Sequence, residues 1–87
     1  MPGQSDWPEW WQWELDSTDH LRDKMLERGF SEVDLRAMLH DARSLRRGKR
    51  PGRWIVSTRW HGQPWKVIVE PLVNEGILVV VTAYPVI

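Results

Sequence analysis

The chain has 87 residues, no cysteine, a formal net charge of zero and 28% charged residues. This suits one domain with a modest single core, and it excludes disulfide staples and cysteine-held zinc. The zero total hides a division: residues 1–41 carry ten acids against four bases, net −6, and residues 42–87 carry eight bases against two acids, net +6.

Residues 1–6 read as a loose tail. Four of the seven tryptophans then crowd into Trp7-Pro8-Glu9-Trp10-Trp11-Gln12-Trp13. From Trp11 the alternation of Trp11, Trp13 and Leu15 with Gln12, Glu14 and Asp16 predicts a short strand. A helical turn from Pro8 to Trp13 competes, because proline suits a first helical position. Residues 1–16 thus form a tryptophan-rich extension, and residues 17–87 a single domain.

That domain opens on a helix–turn–helix joint. Ser17 or Thr18 caps a first helix over about 18–28, with Leu21 and Met25 on its apolar stripe and Leu26 beside them. Gly29 ends the helix in the left-handed conformation, and Phe30 folds back over the last turn. Ser31 with Asp34 forms a capping-box-like start to a second helix. This helix is expected to run from Glu32 into the forties, with Val33, Leu35, Met38, Leu39, Ala42 and Leu45 on one broad face. The acid-free basic run of residues 43–53 closes it, with cations at its C-terminus and Gly and Pro preventing continuation.

Three strands follow. Residues 53–60 alternate Trp54, Val56, Thr58 and Trp60 against Arg53, Ile55, Ser57 and Arg59. His61-Gly62-Gln63-Pro64 is a turn. Residues 65–73 form the next strand, in which Pro71 implies an edge or a bulge. Asn74-Glu75-Gly76 is a tight hairpin loop. Ile77 to Tyr84, the most apolar run, is expected as the central strand, buried on both faces, with Thr82 and Tyr84 sharing a face with Val80. If left uncovered, this final strand would offer an edge for pairing. The predicted fold is α+β, (β)-α-α-β-β-β, two helices packed on an antiparallel meander.

No glycine-rich phosphate loop and no metal-spaced cluster is visible, and His20, His40 and His61 are isolated in sequence. No stretch approaches the ~20 apolar residues of a membrane span. The N-terminus lacks a basic segment followed by an apolar core, so a secretory signal is not expected and the expected location is the cytoplasm. The divided charge gives either separate faces for a polyanion and a basic partner or two halves that neutralise each other on folding. The basic run suits either phosphate contacts, through Arg46, Arg47, Lys49 and Arg50, or a solvated connection. The tryptophans Trp7, Trp10 and Trp11 suit base stacking, a partner groove, or cover for a core edge. Singly, His20, Arg28, Lys66, Thr82 and Tyr84 each have an ordinary structural explanation: a boundary histidine, a helix-end cation, an edge lysine and strand formers.

Together, some of these residues form a pattern. His20-x4-Met25-x2-Arg28-Gly29-Phe30-Ser31-x2-Asp34-Leu35 resembles the opening of a widespread family of small, uncharacterised bacterial domains, H-A-x-x-R-M-x-x-R-G-[IF]-[ST]-x-x-[DE]-[VIL]. Gln63-Pro64-Trp65-Lys66-Val67-Ile68-Val69 resembles their R-P-L-H-V-V-V strand, and Val81-Thr82-Ala83-Tyr84-Pro85 their V-T-V-Y-x-P close. The resemblance covers residues 17–85. That family is grouped with the barnase–colicin–RelE-like ribonuclease fold, whose small members include toxins of toxin–antitoxin pairs.

The resemblance implies metal-independent and cofactor-free RNA cleavage by attack of the 2′-hydroxyl on the adjacent phosphate. Such chemistry needs a base, an acid and a cation. Carried over, His20 is base or acid, and Lys66 stands where the family often has histidine. Thr82 and Tyr84 position the phosphate or donate a proton. Arg28 or Arg59 holds the phosphate, and His61 is the substitute for the missing second imidazole. The expected partners are RNA and a cognate antitoxin, with Trp7, Trp10 and Trp11 as partner-binding residues, and neither metal nor membrane. The alternative is an inactive protein-interaction module of the same fold. An RNA-binding regulator without cleavage ranks behind both, since zero net charge gives weak non-specific affinity.

Overall fold

The computed structural model describes residues 7–86, so the tail expected over residues 1–6 lies outside the described residues. Pro8 opens a short 3-10 turn over Glu9–Gln12, in which the N–H of Trp11 donates to the carbonyl of Pro8 at 3.0 Å. Strand β1 (Glu14–Ser17) follows. The two competing readings of this stretch both hold in part: the turn occupies its first half, and the strand starts at Glu14 rather than Trp11.

Thr18 is the cap of α1 (Asp19–Arg28) and bonds in two directions. Its Oγ1 accepts the N–H of Leu21 at 3.1 Å, and its hydroxyl donates to the carbonyl of Val81 at 2.9 Å. The helix is therefore capped and fastened to the sheet by one side chain. Gly29 takes φ 71° and ψ 37°, a conformation nearly free of cost only to glycine. Ser31 and Asp34 form a complete reciprocal capping box for α2 (Glu32–His40).

Here the chain departs from expectation. Helix α2 stops at His40, and Ser44–Arg47 is a strand, β2, not a helix end. Leu45 is the lone apolar residue of a basic run, and one residue cannot distinguish a period of 3.6 from a period of two. Tertiary contacts decide the matter. The buried hydroxyl of Thr58 donates to the carbonyl of Met38, and the N–H of Arg43 donates to the carbonyl of Ser57 at 2.7 Å. Ala42 is buried at the corner. Val33, expected on the apolar face, is 75% exposed, and Leu26 on α1 is 87% exposed.

Strands β3 (Trp54–Trp60), β4 (Gln63–Leu72) and β5 (Ile77–Pro85) complete a five-stranded sheet in the order β1-β5-β4-β3-β2. All pairings are antiparallel except β1 with β5. The β3–β4 turn has two residues with positive φ, His61 at 52° and Gly62 at 74°, the backbone that matches strand twist in two-residue hairpins. Pro71 lies beyond the last β3 pairing, Trp54 with Val69, where one side of β4 is a local edge. The expected α+β arrangement of two helices on an antiparallel meander is the observed one.

Within it, the centre of the sheet is β4, not β5. The final strand is no free edge, because β1 covers Ile77–Val80 in parallel. Nor is β5 buried on both faces: Leu78, Val80 and Ala83 are buried, and the residues between them are half-buried. The spacing of those buried positions marks a bulge. Val69 pairs with Val80 but Ile68 pairs with Thr82, which leaves Val81 as an extra residue. Thr82 and Tyr84 consequently point to the face opposite Val80, contrary to simple alternation.

The core lies on one face only. Leu21, Phe30, Leu35, Met38 and Leu39 of the helices and corner pack on Val56, Val67, Val69, Leu78, Val80 and Ala83 of the sheet. Each fully buried aliphatic contributes about 1.5–3 kcal/mol. The N-terminal tryptophans pack against the same core, with Trp10 5.4 Å from Trp54 and Trp7 4.5 Å from Trp11 between ring centroids. No described helix is long and apolar enough to cross a membrane.

Candidate functional site

The sheet face away from the helices carries two rows of aligned side chains. Register places Ser44, Ser57, Lys66 and Tyr84 side by side across β2, β3, β4 and β5. The next row holds Arg46, Ile55, Ile68 and Thr82. Directly opposed residues have Cβ atoms roughly 4.5–5.5 Å apart, so Lys66 is flanked by Ser57 on one side and Tyr84 on the other. Both flanking residues and Lys66 are half-buried. The bulge at Val81 makes this possible, since without it Thr82 and Tyr84 would face the core.

Three of the four residues expected to act in catalysis, Lys66, Thr82 and Tyr84, thus converge on this face. His20 stands apart on α1, exposed, in the helical row His20–Lys24–Glu27–Arg28. That flank abuts the half of β5 that β1 leaves uncovered. Arg28 Nη1 donates to the carbonyl of Ala83, between Thr82 and Tyr84, at 2.6 Å. Lys24 Nζ donates to Glu27 Oε2 at 3.0 Å, and this bond and charge, with Arg28 and His20 adding, hold the Glu27 carboxyl below its ordinary pKa. Glu27 therefore stays ionised over a wider range than a free carboxylate.

The cations expected to bind phosphate divide between places. Arg46 and Arg59 belong to the open face, where Arg59 also donates to the carbonyl of Gly62 at 2.8 Å. Arg47 points the other way, with its guanidinium 5.1 Å from the ring centroid of Trp54. Lys49 and Arg50 are exposed in the β2–β3 loop, and His61 sits at the β3–β4 turn against Trp60, 4.2 Å between centroids. Sequence reasoning missed Ser57 and Arg53. Ser57 carries no signal without the register, and Arg53 joins the face by donating to Glu70 Oε1 at 3.1 Å.

Folding does not neutralise the two halves against each other. Among the described residues, Arg22 pairs with Asp16 and Asp19, Lys24 with Glu27 and Arg36 with Glu32, all within the acidic half. Arg53 pairs with Glu70 within the basic half. Only Asp41 and Arg43, two residues apart, pair across the division. The helices are close to balanced, with five acids against four bases over residues 19–40. On the sheet's other face Arg46, Arg59 and Lys66 gather over β2, β3 and β4, Arg53 is paired with Glu70, and Glu14 and Asp16 stand at the β1 edge.

Of the clefts on the helical side, two border the tryptophan segment. One, of about 250 Å³, lies between the tryptophan segment and α2, lined by Trp11, Trp13, Arg36 and His40 among others. Another, of about 340 Å³, lies beside β2. Neither contains Lys66, Thr82 or Tyr84. Among the described residues no three His, Cys, Asp or Glu side chains gather as a metal site would require.

No curated protein and no solved structure matches the chain. Residues 17–85 match the sequence profile of Domain of unknown function (DUF4258), from the capping residues of α1 to the last residue of β5. The chain belongs to that family of small domains of unknown function.

Proposed function

We propose that this domain is a metal-independent endoribonuclease of the barnase–colicin–RelE-like type, acting as the toxin of a toxin–antitoxin pair. The observation that carries the reading is the row Ser57–Lys66–Tyr84, with Thr82 in the next row, on the sheet face away from the helices, where Arg46 and Arg59 also lie. An RNA backbone laid on that face meets the cations Arg46, Arg59 and Lys66, which supply sequence-independent affinity. In the cleavage step the 2′-hydroxyl loses its proton to a base and attacks the adjacent phosphorus. The bond to the 5′-oxygen breaks, an acid protonates that oxygen, and a 2′,3′-cyclic phosphate remains. The Lys66 ammonium, with Ser57 and Tyr84 on the neighbouring strands, suits the charge that accumulates on the phosphorane. Tyr84 and Thr82 orient the phosphate. His20, on the flank of α1 that borders β5, exchanges the proton.

Inducible expression in a bacterial host tests this reading through growth and total RNA integrity. The expected result is growth arrest with RNA decay, relieved by Lys66→Gln, Tyr84→Phe or His20→Ala while each variant still accumulates. Normal growth and intact RNA beside abundant folded wild-type protein would overturn it. A second reading, an inactive interaction module of the same fold, draws support from Leu26 and Val33, apolar side chains left exposed on the helices. On that reading the host tolerates every one of these variants.

A further inference from the structure

The N-terminal tryptophans are not absorbed by the cleavage chemistry, and one of them helps build a separate pocket. Trp7 and Pro8 face Arg43, Ser44, Leu45 and Trp54 across a cleft of about 340 Å³. The two half-buried indoles lie far apart in sequence: Trp7 precedes the first turn and Trp54 opens β3. Neither is loose. Trp7 leans on Trp11 at 4.5 Å between centroids, and Trp54 is held by Trp10 at 5.4 Å and by the Arg47 guanidinium at 5.1 Å. Leu45 supplies an apolar wall. The Ser44 hydroxyl and the Arg43 guanidinium, which is shared with Asp41 at 3.6 Å, supply polar groups at the rim.

The setting adds a second kind of affinity. The pocket opens beside β2, the edge strand of the sheet, whose outer backbone groups have no described strand beside them. Arg46, Lys49 and Arg50 lie on this strand and its loop, exposed and in no ion pair among the described residues. Indoles on one face of an edge strand, with free cations on its other face and in the loop beyond it, suit single-stranded nucleic acid, whose bases stack and whose phosphates are tracked. A cleft of this size can take a small heterocycle and is too small for a folded partner.

We propose that this pocket is a nucleobase subsite, which takes one unpaired base of a single-stranded RNA against Trp7 and Trp54 while Arg46, Lys49 and Arg50 hold its neighbouring phosphates. The inference rests on the RNA reading above and extends it around the β2 edge. It gives the tryptophan segment, which lies outside the matched residues 17–85, a role in substrate choice: a strand with an unstacked base is preferred to a duplex.

The test uses the full chain and a fluorescent short 2′-O-methyl oligonucleotide, which lacks the attacking hydroxyl and so separates binding from cleavage. Affinity is measured by anisotropy beside an oligonucleotide of equal charge with abasic positions. Wild type is expected to bind the base-bearing strand about tenfold more tightly, as stacking on one aromatic platform allows. Trp7→Ala should lose that preference and Trp7→Phe should keep most of it. Equal binding of the two strands by wild type would sink the subsite alone, and that comparison needs no folded variant. Trp7→Ala that keeps the wild-type preference would sink it too. Absence of any binding at low salt would remove the RNA reading and the subsite together.

Discussion

Replacing Thr58 by valine tests the corner at which α2 gives way to β2. Thr58 is 3% exposed, and its hydroxyl donates to the carbonyl of Met38 near the end of α2. Valine fills the same space and removes only the donor, so the carbonyl is left in the core without this partner. An unsatisfied buried polar group costs about 1–3 kcal/mol. Unfolding entropy of about 2.1 cal/mol/K per residue, taken over 87 residues, comes to about 0.18 kcal/mol/K. The expected fall in Tm is therefore about 5–16 °C, followed by circular dichroism. Thr58→Ser keeps the donor and loses one buried methyl, about 0.8 kcal/mol, and should lie well above the valine variant. A valine variant as stable as wild type, or one less damaging than serine, would refute the claim that this bond ends the helix.

On the proposed ribonuclease reading, Lys66→Gln and Tyr84→Phe should abolish RNA cleavage while moving stability by no more than about 0.5 kcal/mol, which a thermal melt and a cleavage assay on the same samples will show. Binding of single-stranded RNA should weaken steeply with salt. On the ribonuclease reading, the three cations Arg46, Arg59 and Lys66 give a slope of log affinity against log salt of about −2, and Arg46→Gln should reduce its size by about 0.7. Gly29→Ala forces a side chain onto φ 71° and should cost about 1–2 kcal/mol in chemical denaturation. Glu27 is held below its ordinary pKa by Lys24 first. Its pairing should therefore stabilise at neutral pH and fade as pH falls below the ordinary carboxylate value of about 4.3. The Tm difference between wild type and Glu27→Gln should vanish at the acid end of a pH series.

What could be read from residues was local chemistry. Thr18, Gly29, Ser31 and Asp34 announce two helix starts and one helix end because caps and left-handed glycines need only their neighbours. The His61-Gly62 turn was legible for the same reason. The end of α2 was not, because the bond that fixes it comes from Thr58, twenty residues away in sequence. Nor could alternation find the bulge, which exists only in the pairing of β5 with β4. The candidate site inherits both limits. Lys66 and Tyr84 stand out through family resemblance, but their adjacency, and the presence of Ser57 beside them, belong to the register.

The extra residue in β5 also divides the strand's tolerance to change. Up to Val80, the even-numbered positions Leu78 and Val80 are locked into the interior; past Val81, the odd-numbered Ala83 takes that duty and the even-numbered Thr82 and Tyr84 are released from it. A saturation scan of β5 scored by protein abundance should therefore show sensitivity at 78, 80 and 83, a rhythm that slips by one at the bulge. Scored by activity, positions 82 and 84 should become the sensitive ones. One strand then holds a packing segment and a surface segment whose side chains vary independently, so the sheet surface can change with the interior left untouched.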